Sequence, residues 1–514
     1  MSWLGHIARA SNLVVAVAPL LLFPQVAGRT NGARQADLVV VQAPRVVWGS
    51  LAGRFPEGSR LVRLTPASHS PLQLTPNFFA AADPRVSFDG TRLLAAVKET
   101  AGARWQIWEM DADGSGLRQI THCAEDCLKP AYLPRGEIVF TAVAADATSQ
   151  LWVSKLDGSD AHPITFGPGD FQVETVLMNG MILASAGSPL APAAALRDGG
   201  KGEAGAASAP TTPSSPPHQA RVSGVDRELY VLRPDGSGLA SFRCDHEHPA
   251  IRSQAQELAD GSVVFVKSPL GGAGAGAELA WIRRGELHNA SLTAPGAPII
   301  STAPLGEAKL AVGREVSAAP GNHVLNREGS SGKFALFAFD LEQGKFAELI
   351  YNDPKLSSLA AVPVAAHEPP RWYFSTLNPA LKRGYFICLD SYLAGDAPRG
   401  RLGGVIAKAR VLALESESGS QRAESATREI LLGEAPVEKD GSFYIAVPPD
   451  KPLRFELLDA RGRVVRAQRS WIWARSGEEH GCVGCHEDRA LAPENRWPLA
   501  LRRFDTPTRL DGGN

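Results

Sequence analysis

The sequence predicts an all-β protein built from many short strands, and two observations support that prediction. Glycine and proline, with 50 and 38 copies among 514 residues, disfavour long helices and favour strands separated by turns. A strand-rich unit that ends in an Asp-Gly turn also recurs along the first half of the chain. The length exceeds that of one ordinary core, so we expect at least two domains.

The charge balance excludes one broad class of partner. The chain carries 53 basic and 54 acidic residues, so its formal net charge of −1 gives no overall attraction to nucleic acid or to an anionic membrane surface. Its 44% hydrophobic and 21% charged residues are typical of globular proteins. We therefore expect a folded protein that does not bind nucleic acid.

The first 28 residues have the three-part pattern of a secretory signal peptide. Arg9 precedes the apolar residues 13–23, and small residues at 26–28 predict cleavage after Gly28. The alternative is an uncleaved membrane anchor, but this stretch is shorter than the roughly 20 residues that a spanning helix needs. We expect a periplasmic or secreted protein with no membrane span in the mature chain.

The repeated unit has the length of a propeller blade. Asp113 and Asp157 occupy corresponding Asp-Gly turns 44 residues apart, as expected for four-stranded blades. The next such turn, at Asp235, lies one period and an insertion further on. We assign the insertion to residues 187–220, whose Ala, Gly, Pro and Ser content predicts a flexible surface loop. Residues 37–360 are thus predicted to form a β-propeller of six or seven blades.

These units resemble the repeats of TolB-type β-propellers. The resemblance is clearest over residues 84–90, where Pro84 and Phe88 precede Asp89-Gly90 and a strand. It implies a TolB-like propeller fold for the first domain.

A second, smaller domain is predicted after the propeller. Pro363, Pro369 and Pro370 mark residues 361–383 as a linker, and residues 384–474 then contain several strands. In one of them Phe443, Ile445 and Val447 alternate with residues that face the other way. We expect a small antiparallel β-sandwich over 384–474.

Cys482, Cys485 and His486 form the Cys-x-x-Cys-His pattern of covalent haem c attachment. Two thiols at this spacing can bond the two vinyl groups of one porphyrin, and the adjacent imidazole can bind the iron. We predict one covalent haem c in a segment over 475–503, with His486 as the proximal iron ligand and residues 504–514 as a tail.

Two cysteines at this spacing also occur in zinc sites, in thioredoxin-like disulfides and in structural cystines. Zinc would need further ligands at matching spacing after Cys485, and a redox disulfide favours a βαβ context that this chain lacks. Haem c is therefore the preferred interpretation.

The surroundings of the haem are less constrained by the sequence. No methionine follows the motif, so the sixth ligand stays open, with His480 one candidate among several histidines. Trp471 and Trp473 are candidates for an apolar haem wall, and a place in the sandwich core is an equal alternative.

Cys123 and Cys127 are four residues apart in a predicted loop. Because export places them in an oxidising compartment, we predict a local disulfide.

The C-terminal region resembles the haem-bearing part of the hydrazine synthase alpha-subunit family. The resemblance rests on residues 437–444, on 482–487 and on Ala492-Pro493, and it extends more weakly over most of the mature chain. It implies a propeller joined to a domain with covalent haem at Cys482 and Cys485, with His486 as a metal ligand. One attachment motif does not imply hydrazine synthesis, which belongs to assemblies with several haems.

Three hypotheses about function follow. The first is a cytochrome-like protein that transfers electrons to a redox partner protein or binds a small-molecule ligand at its haem. The second is a haem-dependent oxidoreductase with an open iron position. The third is a propeller interaction scaffold in which the haem is structural or sensory.

Overall fold

The computed structural model describes residues 36–512 apart from 66–67, 188–225, 243–248, 272–273, 284–285, 287–288, 317–331, 395–400, 417–426, 469 and 485–495. The predicted signal peptide, and all but the first residue of the predicted insertion at 187–220, lie outside the described residues. Within them the structure contains 32 β-strands and one short 3-10 helix, Leu499–Arg502. The all-β prediction is therefore confirmed.

The first domain is a propeller of six four-stranded blades within the described residues, the lower of the two expected numbers. Its N-terminal strands are β1 (Asp37–Ala43), β2 (Arg60–Thr65) and β3 (Ser68–Gln73). They belong to the sixth blade, which the end of the domain completes. The first blade comprises β4 (Ala80–Val86), β5 (Arg92–Lys98), β6 (Gln106–Asp111) and β7 (Arg118–Gln119). The second comprises β8 (Asp126–Leu133), β9 (Glu137–Val143), β10 (Ser149–Lys155) and β11 (His162–Pro163).

The remaining blades follow in chain order. The third and fourth comprise β12 (Asp170–Val176), β13 (Ile182–Gly187), β14 (Arg227–Leu232) and β15 (Ala240–Ser241), then β16 (Ala250–Glu257), β17 (Val263–Pro269), β18 (Glu278–Ile282) and β19 (Ala290–Ser291). The fifth comprises β20 (Ile299–Pro304), β21 (Lys309–Glu315), β22 (Phe334–Asp340) and β23 (Lys345–Tyr351), and β24 (Ser357–Val364) completes the sixth with β1, β2 and β3.

The ring closes through pairing between the two ends of the domain. Strand β1 pairs antiparallel with β24, for example through Val39 and Val362. The innermost strands β4, β8, β12, β16, β20 and β24 each contact the next, and β24 contacts β4. Residues 361–364, predicted to begin the linker, therefore belong to the last blade because they supply this closing strand.

The recurring Asp-Gly-Ser turns have one local cause. In each of them the Asp carboxylate accepts a hydrogen bond from the Ser backbone N–H two residues on, at 2.9 Å for Asp113 and Asp157 and 3.0 Å for Asp235. Such side-chain bonds replace part of a backbone turn and favour Asp at this position.

A belt of polar contacts joins the innermost strands at their β-bulges, and we call it the central belt. Asp83 accepts a hydrogen bond from the Lys129 backbone N–H at 3.1 Å, and the Lys129 ammonium lies 2.9 Å from Glu174. Glu174 also accepts from Ser185 at 2.7 Å and from the Ala255 N–H at 3.2 Å. The belt thus ties four consecutive blades together.

Residues 365–383, here called the strap, run across the turns of three blades. The His367 N–H donates to the Phe88 carbonyl at 2.8 Å, and the Arg371 N–H donates to the Met178 carbonyl at 3.0 Å. The Arg135 guanidinium lies 3.4 Å from the centre of the Trp372 ring. The predicted linker therefore packs on the propeller.

The second domain is a sandwich of two four-stranded sheets around its own apolar core. One sheet has the order β31-β25-β28-β32 and the other β27-β26-β29-β30. Their strands are β25 (Gly384–Cys388), β26 (Lys408–Ser416), β27 (Thr427–Pro436), β28 (Phe443–Val447), β29 (Leu453–Leu458), β30 (Val464–Ala467), β31 (Glu479–Cys482) and β32 (Thr508–Arg509).

The first of these sheets includes two strands from outside residues 384–474, the predicted limits of the sandwich. Strand β31 pairs parallel with β25, and β32 pairs parallel with β28. Both come from segments predicted to form the haem attachment region and the tail. Phe443, Ile445 and Val447 lie in the core, as their alternation predicts.

Candidate functional site

The Cys-x-x-Cys-His motif begins at the end of an edge strand of the sandwich. Cys482 is the last residue of β31, and its Cα pairs with that of Cys388 in β25. Cys388 is buried, whereas Cys482 is half-buried and packs against the edge of the same core. Cys485 and His486 lie outside the described residues.

The first residues of the motif lie close against residues 389–393. The Leu389 and Asp390 N–H groups donate to the carbonyls of Cys482 and Val483, at 2.9 and 3.2 Å. A Cβ atom on Gly484 would lie 2.7 Å from both Cβ and O of Leu393. Glycine at this motif position therefore permits an approach that any side chain would block.

His480 precedes the motif and faces the core side of the sheet. Its ring centre lies 5.2 Å from that of Phe386, the residue it pairs with in β25, and its Nδ1 lies 3.4 Å from Glu478. Glu478 also accepts hydrogen bonds from the N–H groups of Gly238 and Arg475, at 2.8 and 2.7 Å. His480 is thus linked through Glu478 to the third propeller blade.

The chain is anchored again after the motif. Asp440 accepts a hydrogen bond from the Leu499 N–H, and Ser442 accepts one from the Ala500 N–H, each at 2.9 Å. Arg496 donates to the Asp440 carbonyl at 2.9 Å. We call this contact the C-terminal clamp. Residues 482–484 and 496–500 are therefore both held against residues 389–393 and 440–442 of this domain.

The ionisation of Asp440 reflects this arrangement. Burial alone raises the pKa of Asp440, but the hydrogen bonds from Ser442 and Leu499, together with the Arg496 charge, bring it below its ordinary value. The carboxylate is therefore ionised at neutral pH and accepts the helix N–H in its charged form.

The two candidate tryptophans occupy different places. Trp473 is 1% exposed, its ring packs edge-on against Phe166 and Phe171, and its Nε1–H donates to the Gly236 carbonyl at 3.0 Å. Arg475 donates to the Asp235 carbonyl at 2.7 Å nearby. Trp473 therefore joins the sandwich to the third blade.

Trp471 lines a small, shallow cleft between that blade and the sandwich. Its other lining residues are Gly167, Gly169, Phe171, Ala186, Gly187, Tyr230 and Ser470. Burial, followed by the charges of Glu228 and Asp226, raises the pKa of Tyr230 to about 12, so its hydroxyl remains a hydrogen-bond donor at neutral pH. Phe171 and Tyr230 could not be recognised from the sequence, because no local motif relates them to residues more than 200 positions later.

Cys123 and Cys127 form a disulfide at the start of the second blade, with their Cα atoms 6.8 Å apart. The Cys127 N–H donates to the Trp105 carbonyl at 2.8 Å, which fixes one side of this loop on the first blade.

Comparison with known proteins finds similarity to one enzyme family. Residues 404–487, which include the motif up to one residue past His486, match the family described as the hydrazine synthase alpha subunit middle domain. Hydrazine synthase subunit alpha of Kuenenia stuttgartiensis is 23% identical over 543 residues, covering 84% of this chain and 63% of that protein. The chain is similar to hydrazine synthase alpha subunits in this region and along most of its length.

Solved structures were compared with the fold of the chain. Kuenenia stuttgartiensis hydrazine synthase aligns with a TM-score of 0.72 and 21% identity over 91% of this chain and 71% of that one. TolB from Acinetobacter baumannii aligns with a TM-score of 0.43 and 12% identity over 64% of this chain and 66% of its own. The predicted β-propeller fold of the first domain is confirmed by its own blade topology.

Two observations bear on a cofactor and on membrane-spanning segments. The donor set fits covalent haem c, because Cys482 ends an edge strand and the second thiol and the imidazole follow at the spacing that porphyrin attachment requires. The part of the chain that the structure describes contains no helix with the length and apolar character of a membrane span.

Proposed function

We propose that this hydrazine synthase alpha-like protein is an exported redox protein with one covalent haem c, which transfers electrons or binds a small ligand at the iron. The supporting observation is the Cys482-x-x-Cys485-His486 motif, which starts at a sheet edge inside the region of the family match.

In this proposal each residue has a defined task. The thiols of Cys482 and Cys485 would bond the two porphyrin vinyl groups, and the His486 imidazole would bind the iron. When bound, the haem supplies one-electron transfer and, where an iron position is open, binding of small ligands. Gly484 permits the close packing on Leu393, and the C-terminal clamp fixes the far end of the segment.

Trp471 is proposed as part of the apolar surroundings that exclude water. Trp473 acts in a different way, because its contacts with Phe166 and Phe171 fix the sandwich on the propeller. Hydrazine synthesis itself is not proposed. The chain spans 63% of the length of its Kuenenia relative and contains one Cys-x-x-Cys-His motif.

The test is to produce the full chain in a host that exports it and attaches haem c. We expect a coloured protein that is heavier than the mature polypeptide by one haem and begins after Gly28. A Cys482→Ala, Cys485→Ala variant should lose the added mass, whereas a Cys123→Ala, Cys127→Ala variant should keep it. Colourless wild-type protein without added mass would overturn the proposal.

Exposure of the reduced protein to carbon monoxide then distinguishes electron transfer from chemistry on a small ligand. A six-coordinate iron that does not bind carbon monoxide indicates electron transfer, and a high-spin iron that binds it indicates chemistry on a small ligand.

A further inference from the structure

Two cysteines meet at the edge where the motif begins. Cys388 and Cys482 are register partners on the parallel strands β25 and β31. Neighbouring strands lie about 4.8 Å apart, and residues opposite each other in register point to the same face. Both side chains belong to the sandwich core cluster, Cys388 within it and Cys482 packed against it.

The contacts of the preceding pairs support this register. One register pair earlier on this face, Phe386 and His480 are in contact, with ring centres 5.2 Å apart. On the opposite face the Tyr444 hydroxyl bonds Glu479 at 3.2 Å. The alternation of the edge strand is therefore fixed, and the Cys482 side chain lies on the same face of the sheet as that of Cys388.

We propose that Cys388 and Cys482 form a reversible disulfide in the haem-free protein, which withholds Cys482 from haem attachment. The crosslink is inferred from the strand register, and only its effect on haem rests on the proposed function. Disulfides join Cα atoms 4.4–6.8 Å apart, a range that includes the spacing of neighbouring strands.

The exchange needs an oxidant, namely the disulfide of a thiol oxidoreductase in the exported compartment. The Cys482 thiolate attacks that disulfide and forms a mixed disulfide, which releases one oxidant thiol. The Cys388 thiolate then attacks the Cys482 sulfur and releases the second. Two protein thiols are oxidised and one disulfide is reduced to two thiols, and a dithiol reverses both steps.

Haem attachment competes for the same sulfur. Thioether formation adds a thiol across a vinyl double bond, with the sulfur on one carbon and the hydrogen on the other, and it transfers no net electrons. It therefore requires Cys482 as a thiol. Because β31 is an edge strand with one neighbour in its sheet, a local opening at this edge can give a reductant access to the crosslink.

The first experiment uses the full chain exported in a host without haem attachment enzymes. Thiols are blocked with N-ethylmaleimide in denaturant, and unreduced peptides are mapped by mass spectrometry. We expect a linked pair of peptides containing Cys388 and Cys482, about 2 Da lighter than their sum and separated by dithiothreitol. The Cys123–Cys127 disulfide in the same digest is the internal control for oxidation.

Two results would overturn the inference. One is Cys482 linked to Cys485, and the other is Cys388 and Cys482 both blocked by the maleimide while Cys123 and Cys127 are linked. Neither result depends on a variant that has to fold.

The second experiment adds cystine to cells that attach haem. We expect the haem-loaded fraction to fall in the wild type and to stay unchanged in Cys388→Ala and Cys388→Ser variants, and an equal fall in all three would contradict competition. Crosslinked protein that never gains haem under reducing conditions would refute the proposed function and leave the crosslink standing. Haem-loaded protein that never crosslinks would refute the crosslink alone.

Discussion

The propeller and the sandwich differ in which segments of the chain form the edge strands of their sheets. The propeller ring closes through β1 and β24, and four of its outermost strands are only two residues long, which leaves little edge to pair with another chain. The sandwich instead completes one sheet with β31 and β32, which flank the haem motif. The comparison teaches that the propeller is self-contained, whereas the sandwich depends on the segments around its candidate site.

The largest expected effect comes from breaking the central belt. Lys129→Ala leaves Glu174, which is 1% exposed, without its cationic partner, and we expect a loss of about 3–5 kcal/mol in the free energy of unfolding. Burial lowers the pKa of Lys129, and the negative charge of Glu174 opposes this decrease. The charged form of Lys129 therefore depends on its contact with Glu174. The measurement is urea unfolding at neutral pH.

The matched control for this change is Lys155→Ala, which removes an exposed lysine 3.8 Å from Asp160 on the surface. It should leave the unfolding curve nearly unchanged. Equal losses in the two variants would show that the central belt does not stabilise the closed ring.

A second variant tests the junction between the two domains. Trp473→Ala removes a buried indole and its hydrogen bond to Gly236, for an expected cost of about 3 kcal/mol. We expect unfolding to split into two transitions, because the sandwich loses its main apolar anchor on the propeller. Trp497→Ala is the control, since that side chain is 64% exposed. A single transition at the wild-type midpoint for Trp473→Ala would contradict the role of Trp473.

A third variant tests the strap. Gly180 has a φ of +86°, and a Cβ atom there would lie 2.1 Å from the Arg371 carbonyl oxygen. Gly180→Ala therefore adds a clash with the strap to the roughly 1–2 kcal/mol that left-handed backbone costs alanine. We expect faster proteolytic cleavage within 365–383.

Gly136→Ala provides the matched control, because Gly136 has a φ of +75° in the corresponding turn but no atom within 4 Å of the added Cβ. It should cost only the backbone strain and leave cleavage of the strap unchanged. If both variants accelerate cleavage equally, the strap is not held at Gly180.

The smallest effect concerns the C-terminal clamp and its dependence on pH. The pKa of Asp440 is lower in the folded than in the unfolded protein. The contribution of Asp440 to the free energy of unfolding is therefore complete above its unfolded-state pKa, which is near 4, and is lost as the pH falls through its folded-state pKa. Asp440→Asn should cost about 1 kcal/mol at pH 7 and make stability less dependent on acid. Hydrogen exchange of the Leu499 and Ala500 amides measures the release directly.

Asp157→Asn is the control for the clamp. Asp157 forms the same Asp-Gly-Ser turn, where the hydrogen bonds from Ser159 lower its pKa, but it does not contact the C-terminal segment. Protection of the two amides should therefore be unaffected. Loss of protection in this variant would mean that the clamp is not specific to Asp440.

Much of the fold could be predicted because its signals are local. The Asp-Gly-Ser turns repeat at blade length, and the alternation around Phe443 marks a half-buried strand. The limits of the second domain were harder to predict. Strands β31 and β32 are short and pair in parallel with their neighbours. Parallel neighbours are not joined by a hairpin turn, so no turn in the sequence indicates either strand.

Part of the candidate site could likewise be predicted from the sequence, and part could not. Cys482, Cys485 and His486 are recognised from their spacing alone, whereas the Trp473 contacts, the cleft at Trp471 and the register of Cys388 with Cys482 join residues far apart in the chain. No local pattern encodes such pairs.

The sequence by itself determined the all-β class, the blade length and the thiol and imidazole spacing, because turn chemistry, side-chain alternation and covalent motifs act over a few residues. The tertiary structure alone decided the number of blades, the path of the strap and the position of Cys482 opposite Cys388. Those features depend on ring closure and on strand pairing between distant segments, whose geometry is fixed only when the whole chain packs.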